Sequence, residues 1–213
     1  MATGCKADDS VVTFSVAQDF HPLHPLQHDA LREVANVATG HAATALSTMT
    51  GRRVMISVPR LTLPDVKDLT ALLSNRDRPT VTVAMHVLGD IAGRFLFVVP
   101  SDDALRLCAL LLGRPKPLTE LDSIARSGLL ETGNILGGSY LSALSTVTGK
   151  ILMLSVPTIG SDELVGRGPD DNSALCLDTR FRIGDENQEL QGYLLLVAAP
   201  ASVRAILEAI RHA

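Results

Sequence analysis

The feature that most limits what this chain can fold into is an internal duplication: the stretch from Asp29 to Pro59 returns, 98 residues later, as Ser127 to Pro157. Aligned without a gap, 14 of the 31 positions are identical, among them Glu33 and Glu131, Asn36 and Asn134, Gly40 and Gly138, Gly51 and Gly149, and Pro59 and Pro157. A repeated unit fixes the architecture before any local reading is made. In a chain of 213 residues each half is too short to bury a good core alone. The halves are therefore expected to close on one another with pseudo-two-fold symmetry. The expected layout is a flexible tail over residues 1–26, then a single domain over 27–213 built from repeats at 27–113 and 119–213. The RPKPLT segment, with Pro115 and Pro117, is the hinge between them.

Local patterns fill in this frame. From Asp29 to Met49 the periodicity is helical: at about 100° per residue, Leu31, Val34, Ala35, Ala38, Ala42, Ala45, Leu46 and Met49 share one side. Gly51 suits the position just past a helix end. RRVMISVP then reads as a strand that Pro59 terminates. Residues 62–79 read as a connection with one helical turn. After it TVTVAMHVL and AGRFLFVVP read as strands meeting at a Gly89-Asp90 corner. Ser101, followed by Asp102 and Asp103, is expected to cap the helix DDALRLCALLLG.

The same order then recurs: a helix from Leu121 to Val147, Gly149 as its stop, the strand KILMLSVP, and a loose connection starting at Ser161. Strands SALCLDTRFRI and ELQGYLLLVAA follow around GDENQ, and PASVRAILEAIRHA closes the chain as a helix. The prediction is an α+β fold of two similar helix-strand-strand-strand-helix halves, with a mostly antiparallel sheet covered by helices. Strand order does not follow from these patterns.

Composition excludes several classes of partner. A net charge of −4 gives no general attraction to a phosphate backbone, so no nucleic-acid partner is expected. The longest apolar runs, such as YLLLVAA, are far too short to span a bilayer, and the N-terminus has no apolar signal core; no membrane partner and a cytoplasmic location are expected. Cys5, Cys108 and Cys176 form no C-x-x-C pair and fit a reducing compartment. His21 and His24 flank prolines without Cys or carboxylate support and read as linker, so no metal site is expected.

The chemistry is placed by the repeat helices. Asp29, Glu33 and Asn36, and again Ser127, Glu131 and Asn134, follow an i, i+4, i+7 spacing that puts all three within about 60° on a helical wheel. That arc lies opposite the apolar side. A solvated helix face explains one such pair well; two copies in the same phase weaken that explanation. Asn is a mediocre helix former, costing a few tenths of a kcal/mol against Ala, and local structure gives no reason to keep it twice. An exposed carboxamide can accept from and donate to one water and so hold it in line with an electrophile. A Glu one turn away can pair with a cation on a partner. Neither group is a strong nucleophile, so the pattern points away from covalent or metal chemistry in this chain.

The full pattern, D/S-x-x-x-E-x-x-N followed by 22 residues and a Pro, is met by Asp29, Glu33, Asn36 and Pro59 and again by Ser127, Glu131, Asn134 and Pro157. This resembles the signature of the CheC/CheX/FliY phosphatases of bacterial chemotaxis. The resemblance covers nearly everything after the tail. It implies removal of the phosphoryl group from the aspartate of a phosphorylated CheY-type response regulator, with Asn36 and Asn134 positioning the water and Glu33 and Glu131 contacting the regulator's lysine. It also implies that Asp29 and Ser127 support the site, that Pro59 and Pro157 are structural, and that no cofactor is bound by this chain, Mg²⁺ being brought by the regulator. CheD, the receptor deamidase, is implied as a second partner. Two motifs in one chain fit a monomer. The first motif departs from a Gly-rich run at Ala38 and Thr39, which would weaken the first site if a partner approaches closely there. The alternative is a non-catalytic, FliM-like adaptor on the same fold.

Overall fold

The computed structural model describes residues 25–57, 59–62, 79–160, 175–184 and 190–211. The elements are α1 (Pro25–Thr50), β1 (Val54–Ile56), β2 (Arg60–Thr62), β3 (Thr80–Gly89), β4 (Gly93–Pro100), α2 (Ser101–Leu111), α3 (Ser123–Thr148), β5 (Leu152–Leu154), β6 (Thr158–Gly160), β7 (Leu175–Ile183), β8 (Leu190–Ala198) and α4 (Pro200–Arg211). The predicted α+β fold with an antiparallel sheet is the one observed. The first helix starts at Pro25 rather than near Asp29, a residue whose ring suits the first helical turn. Expectations for residues 1–24 and for a helical turn within 63–78 lie outside the described residues.

Both repeat helices end where glycine allows it. Gly51 and Gly149 sit at φ 61° and 64°, in the left-handed region that stops a helix. The preceding ALST-x-TG run secures the exit: Ser47 Oγ donates to the Arg52 carbonyl at 2.8 Å and Ser145 Oγ to that of Lys150 at 2.5 Å, while Thr50 and Thr148 each bond back to residue i−4 at 2.7 Å. At the other end of α3, Asp122 accepts from the Ala125 amide at 2.8 Å and caps the helix. Ser101 does not cap α2 as predicted. Pro100 occupies the cap position without a side-chain bond, and the Ser101 hydroxyl donates to the Pro79 carbonyl at 3.0 Å, tying the helix start to the start of β3.

The strand order β1-β7-β8-β4-β3-β5 shows how the halves combine. β4 and β8, one from each half, pair at the centre, and each pairs outward with its own hairpin partner, β3 or β7. The short strands cross over. β1 and β2 of the first repeat pair with β7 of the second, while β5 and β6 of the second pair with β3 of the first. Each half thus completes the other's sheet edge.

Both faces of the central strands are buried. Phe95, Phe97, Val83, Met85, Leu194 and Leu196 join the main core beneath the helices, while Leu96, Val98, Ala84, Leu195 and Val197 alternate to a second cluster on the opposite face. That explains why FLFVV and YLLLVAA read as continuous apolar runs.

Each short-strand pair is split by the motif proline. The prediction of one strand ended by Pro59 misses that β2 resumes immediately after it, as β6 does after Pro157. The SVP serines bridge the break. Ser57 donates its N–H to the Arg180 carbonyl at 2.8 Å and accepts from the Arg180 amide through its Oγ at 3.0 Å. Ser155 repeats this against His86, both bonds at 2.9 Å.

Candidate functional site

α1 and α3 lie side by side over the sheet and pack on one another. On α1, Leu31, Val34, Ala35, Ala38, Ala42 and Leu46 are buried, as the periodicity requires, and Asp29, Glu33 and Asn36 are exposed on the other side. On α3, Leu129, Leu136, Tyr140 and Leu144 are buried while Ser127, Glu131 and Asn134 are exposed. The structure therefore brings each Glu and Asn together on an outward face, one turn apart, in both helices. Ser127 bonds back to the Ser123 carbonyl at 2.9 Å. Pro59 is buried and Pro157 half-buried, at the breaks between short strands, away from the helix faces.

Sorting the repeated identities by structural role isolates this face. Leu31/Leu129 and Leu46/Leu144 fill the core. Ser47/Ser145, Thr50/Thr148 and Gly51/Gly149 build the helix exit. Ser57/Ser155 and Pro59/Pro157 shape the interrupted strands. Thr48/Thr146 and Met55/Met153 are outward but lie off this face. Glu33/Glu131, Asn36/Asn134 and Gly40/Gly138 are exposed and have no such role. A duplication copies inert residues too, yet it is this one outward arc that keeps a carboxylate, a carboxamide and a glycine in phase.

The departure at Ala38 and Thr39 falls elsewhere. Both are buried toward the sheet: Thr39 donates to the Ala35 carbonyl at 2.6 Å and sits 3.4 Å from the Thr179 hydroxyl on β7. Ala35 and Thr39 take the repeat positions of Gly133 and Gly137 in α3, so the difference alters packing beneath the helix. It gives no reason for a weaker first site.

Chemically the two faces offer carboxylates that accept, carboxamides that both donate and accept, and open access from solvent. Among the described residues no three of His, Cys, Asp and Glu come together as a metal-ligand cluster, and no helix is long and apolar enough to cross a membrane.

A model of the CheC-like family matches residues 26–63 and 124–161, the segments that hold the duplicated stretches Asp29–Pro59 and Ser127–Pro157. The chain is 30% identical over 190 residues to the CheY-P phosphatase CheC of Bacillus subtilis, covering 84% of this chain and 90% of that one. It is 28% identical over 171 residues to the flagellar motor switch phosphatase FliY of the same organism, covering 76% of this chain and 44% of that protein. Among solved structures, Thermotoga maritima FliY aligns with a TM-score of 0.71 at 23% identity, over 90% of this chain and 99% of that chain. The FliM middle domain from H. pylori aligns at 0.64 and 12% identity, over 88% and 99%; at such identities the likeness is one of fold. Sequence identity across nine-tenths of CheC, with both repeats matched, establishes that the chain belongs to the CheC-like family of chemotaxis phosphatases.

Proposed function

We propose that this chain hydrolyses the aspartyl phosphate of a CheY-type response regulator with two copies of one device. Asn36 and Asn134 each hold the attacking water. Glu33 and Glu131 each engage the regulator, pairing with its active-site lysine. The observation that carries this reading is the exposed Glu–Asn pair kept in phase on both repeat helices, in a chain similar to a CheY-P phosphatase.

The chemistry suits such a modest set of groups. Phosphoryl transfer depends on positioning and charge compensation more than on covalent participation of the catalyst. A carboxamide that accepts one proton of a water and donates to its oxygen restricts that water to the line of attack. A hundredfold acceleration corresponds to about 2.7 kcal/mol of barrier, which is within the range one well-placed polar group supplies. The Mg²⁺ that offsets phosphoryl charge belongs to the regulator, and this chain brings no cofactor of its own. CheD is carried as a second partner by family resemblance alone, and the cytoplasm as the place of action.

The fold by itself does not separate hydrolysis from an adaptor role, since the FliM middle domain shares it. The Glu–Asn pairs favour hydrolysis. Phosphate release from a phosphorylated CheY-type regulator, measured with wild type and with Asn36→Ala/Asn134→Ala, tests the assignment. The double variant is expected to fall to the regulator's intrinsic rate with an unchanged far-UV CD spectrum. Wild-type acceleration by the double variant refutes the role of the amides.

A further inference from the structure

Gly40 and Gly138 sit in the middle of the Glu–Asn arc. Counting about 100° per residue from Asp29, Glu33 lies at about 40°, Asn36 at about −20° and Gly40 at about 20°; α3 repeats the phases with Glu131, Asn134 and Gly138. Glycine is the poorest choice for a helix interior after proline, so two copies at this place ask for a reason.

Packing supplies none. A Cβ built on Gly40 or Gly138 meets nothing within 4 Å, neither the sheet nor the neighbouring helix. Gly133 and Gly137 of α3 contrast with this: a Cβ on Gly133 would lie 2.7 Å from Val83 Cγ1, and one on Gly137 2.7 Å from Leu154 Cδ1 and 3.0 Å from Phe95 Cδ1, whereas Gly128, like Gly138, has open space. Gly133 and Gly137 have a packing reason, yet the first repeat replaces them with Ala35 and Thr39. The outward glycine has no packing reason, yet both repeats keep it. Both open onto the groove of about 700 Å³ between α1 and α3, whose walls include His41, Thr44, Ser139 and Ser142.

We infer that Gly40 and Gly138 are positioning residues: each leaves the helix backbone bare one turn beyond its Asn, so that the main chain of the regulator beside its phosphorylated aspartate can seat against the helix. The amide then reaches the water line without the partner being held off by a side chain. This rests on the phosphatase reading and deepens it, by naming what sets the approach distance.

The test uses the full chain in an Asn134→Ala background, so that one site is read alone. Gly40→Ala is compared with its parent in thermal stability, in affinity for the phosphorylated regulator by fluorescence anisotropy, and in kcat and KM for phosphate release. Open space predicts a melting temperature higher by roughly 2–4 °C. Misplacement by about one bond length predicts a loss of kcat/KM of roughly 10- to 100-fold, with weaker binding. Gly40→Ser, which adds one more atom, is expected to lose at least as much. A more stable Gly40→Ala with parental affinity and kcat/KM overturns the inference. So does a destabilised Gly40→Ala, which would give the glycine a packing role. Should the wild type bind the regulator without accelerating hydrolysis, the phosphatase reading fails, and the affinity ratio still decides the role of Gly40. Absence of both binding and acceleration overturns both.

Discussion

Gly133→Ala measures how tightly α3 is pressed onto the sheet. The added Cβ would sit 2.7 Å from Val83 Cγ1 and 3.1 Å from its Cβ. Val83 is 1% exposed and lies inside β3, and its branched side chain has little rotamer freedom, so helix or strand has to shift. Overpacking of this kind costs about 1–3 kcal/mol. Replacing a helical glycine by alanine returns about 0.8–1.0 kcal/mol, leaving a net loss of roughly 0–2 kcal/mol. Gly138→Ala, five residues on in the same helix, meets no atom and should show the gain alone. The two variants should therefore differ by about 1–3 kcal/mol in urea unfolding, followed by far-UV CD because the chain has no Trp. A Val83→Ala arm closes a double-mutant cycle: truncating the valine makes room, so Gly133→Ala should cost about 1–3 kcal/mol less in that background. Equal stabilisation by both glycine replacements, or zero coupling to Val83, would refute the packing described for α3.

Asp122→Ala should cost about 0.5–2 kcal/mol, seen as a lower urea midpoint, because it removes the acceptor of the Ala125 amide at the start of α3. Ser155→Ala should cost about 0.5–1.5 kcal/mol by leaving the His86 amide without its side-chain acceptor, and Ser57→Ala the same against Arg180; equal stability of wild type and both variants would deny the serine bridges. Cys108 is buried with its thiol 3.5 Å from the Ala125 carbonyl oxygen, and burial, aided by the Asp122 charge, pushes its pKa up to about 11 from an ordinary 9.0. The folded state holds that proton more tightly than the unfolded chain, so its stabilisation is complete below pH 9 and is lost as the pH rises through about 11. Urea unfolding of wild type against Cys108→Ala should show the wild-type advantage shrinking over that window; an advantage that grows with pH would contradict the assignment.

Much of the fold was legible because the relevant physics is local. Helical periodicity located the α1 and α3 faces, the glycines marked their ends, and Gly89-Asp90 marked a hairpin corner. What sequence could not supply depends on contacts far along the chain. β2 and β6 are three residues each, following a proline, and they are strands because β7 and β3 offer them a ladder. The crossing of short strands between halves follows from the same distant pairing. Ser101 carried a capping signal that failed because Pro100 takes the cap position and Ser101 falls inside the first turn, where its hydroxyl donates to the carbonyl of Pro79, 22 residues earlier.

At the site, the Glu–Asn phase was readable from spacing alone, and the structure shows that face exposed. The open setting of Gly40 and Gly138 was not readable. An outward glycine and a sheet-packed one such as Gly133 look the same in sequence, and only the space around the missing Cβ separates them.

The claim of two working amides is tested most directly by phosphate release from a phosphorylated CheY-type regulator with wild type, Asn36→Ala, Asn134→Ala and the double variant, at limiting regulator and matched CD spectra. Two independent sites predict that the accelerations left in the two single variants sum to that of wild type and that the double variant has none. Single variants that each match wild type, or a double variant that still accelerates, would contradict it.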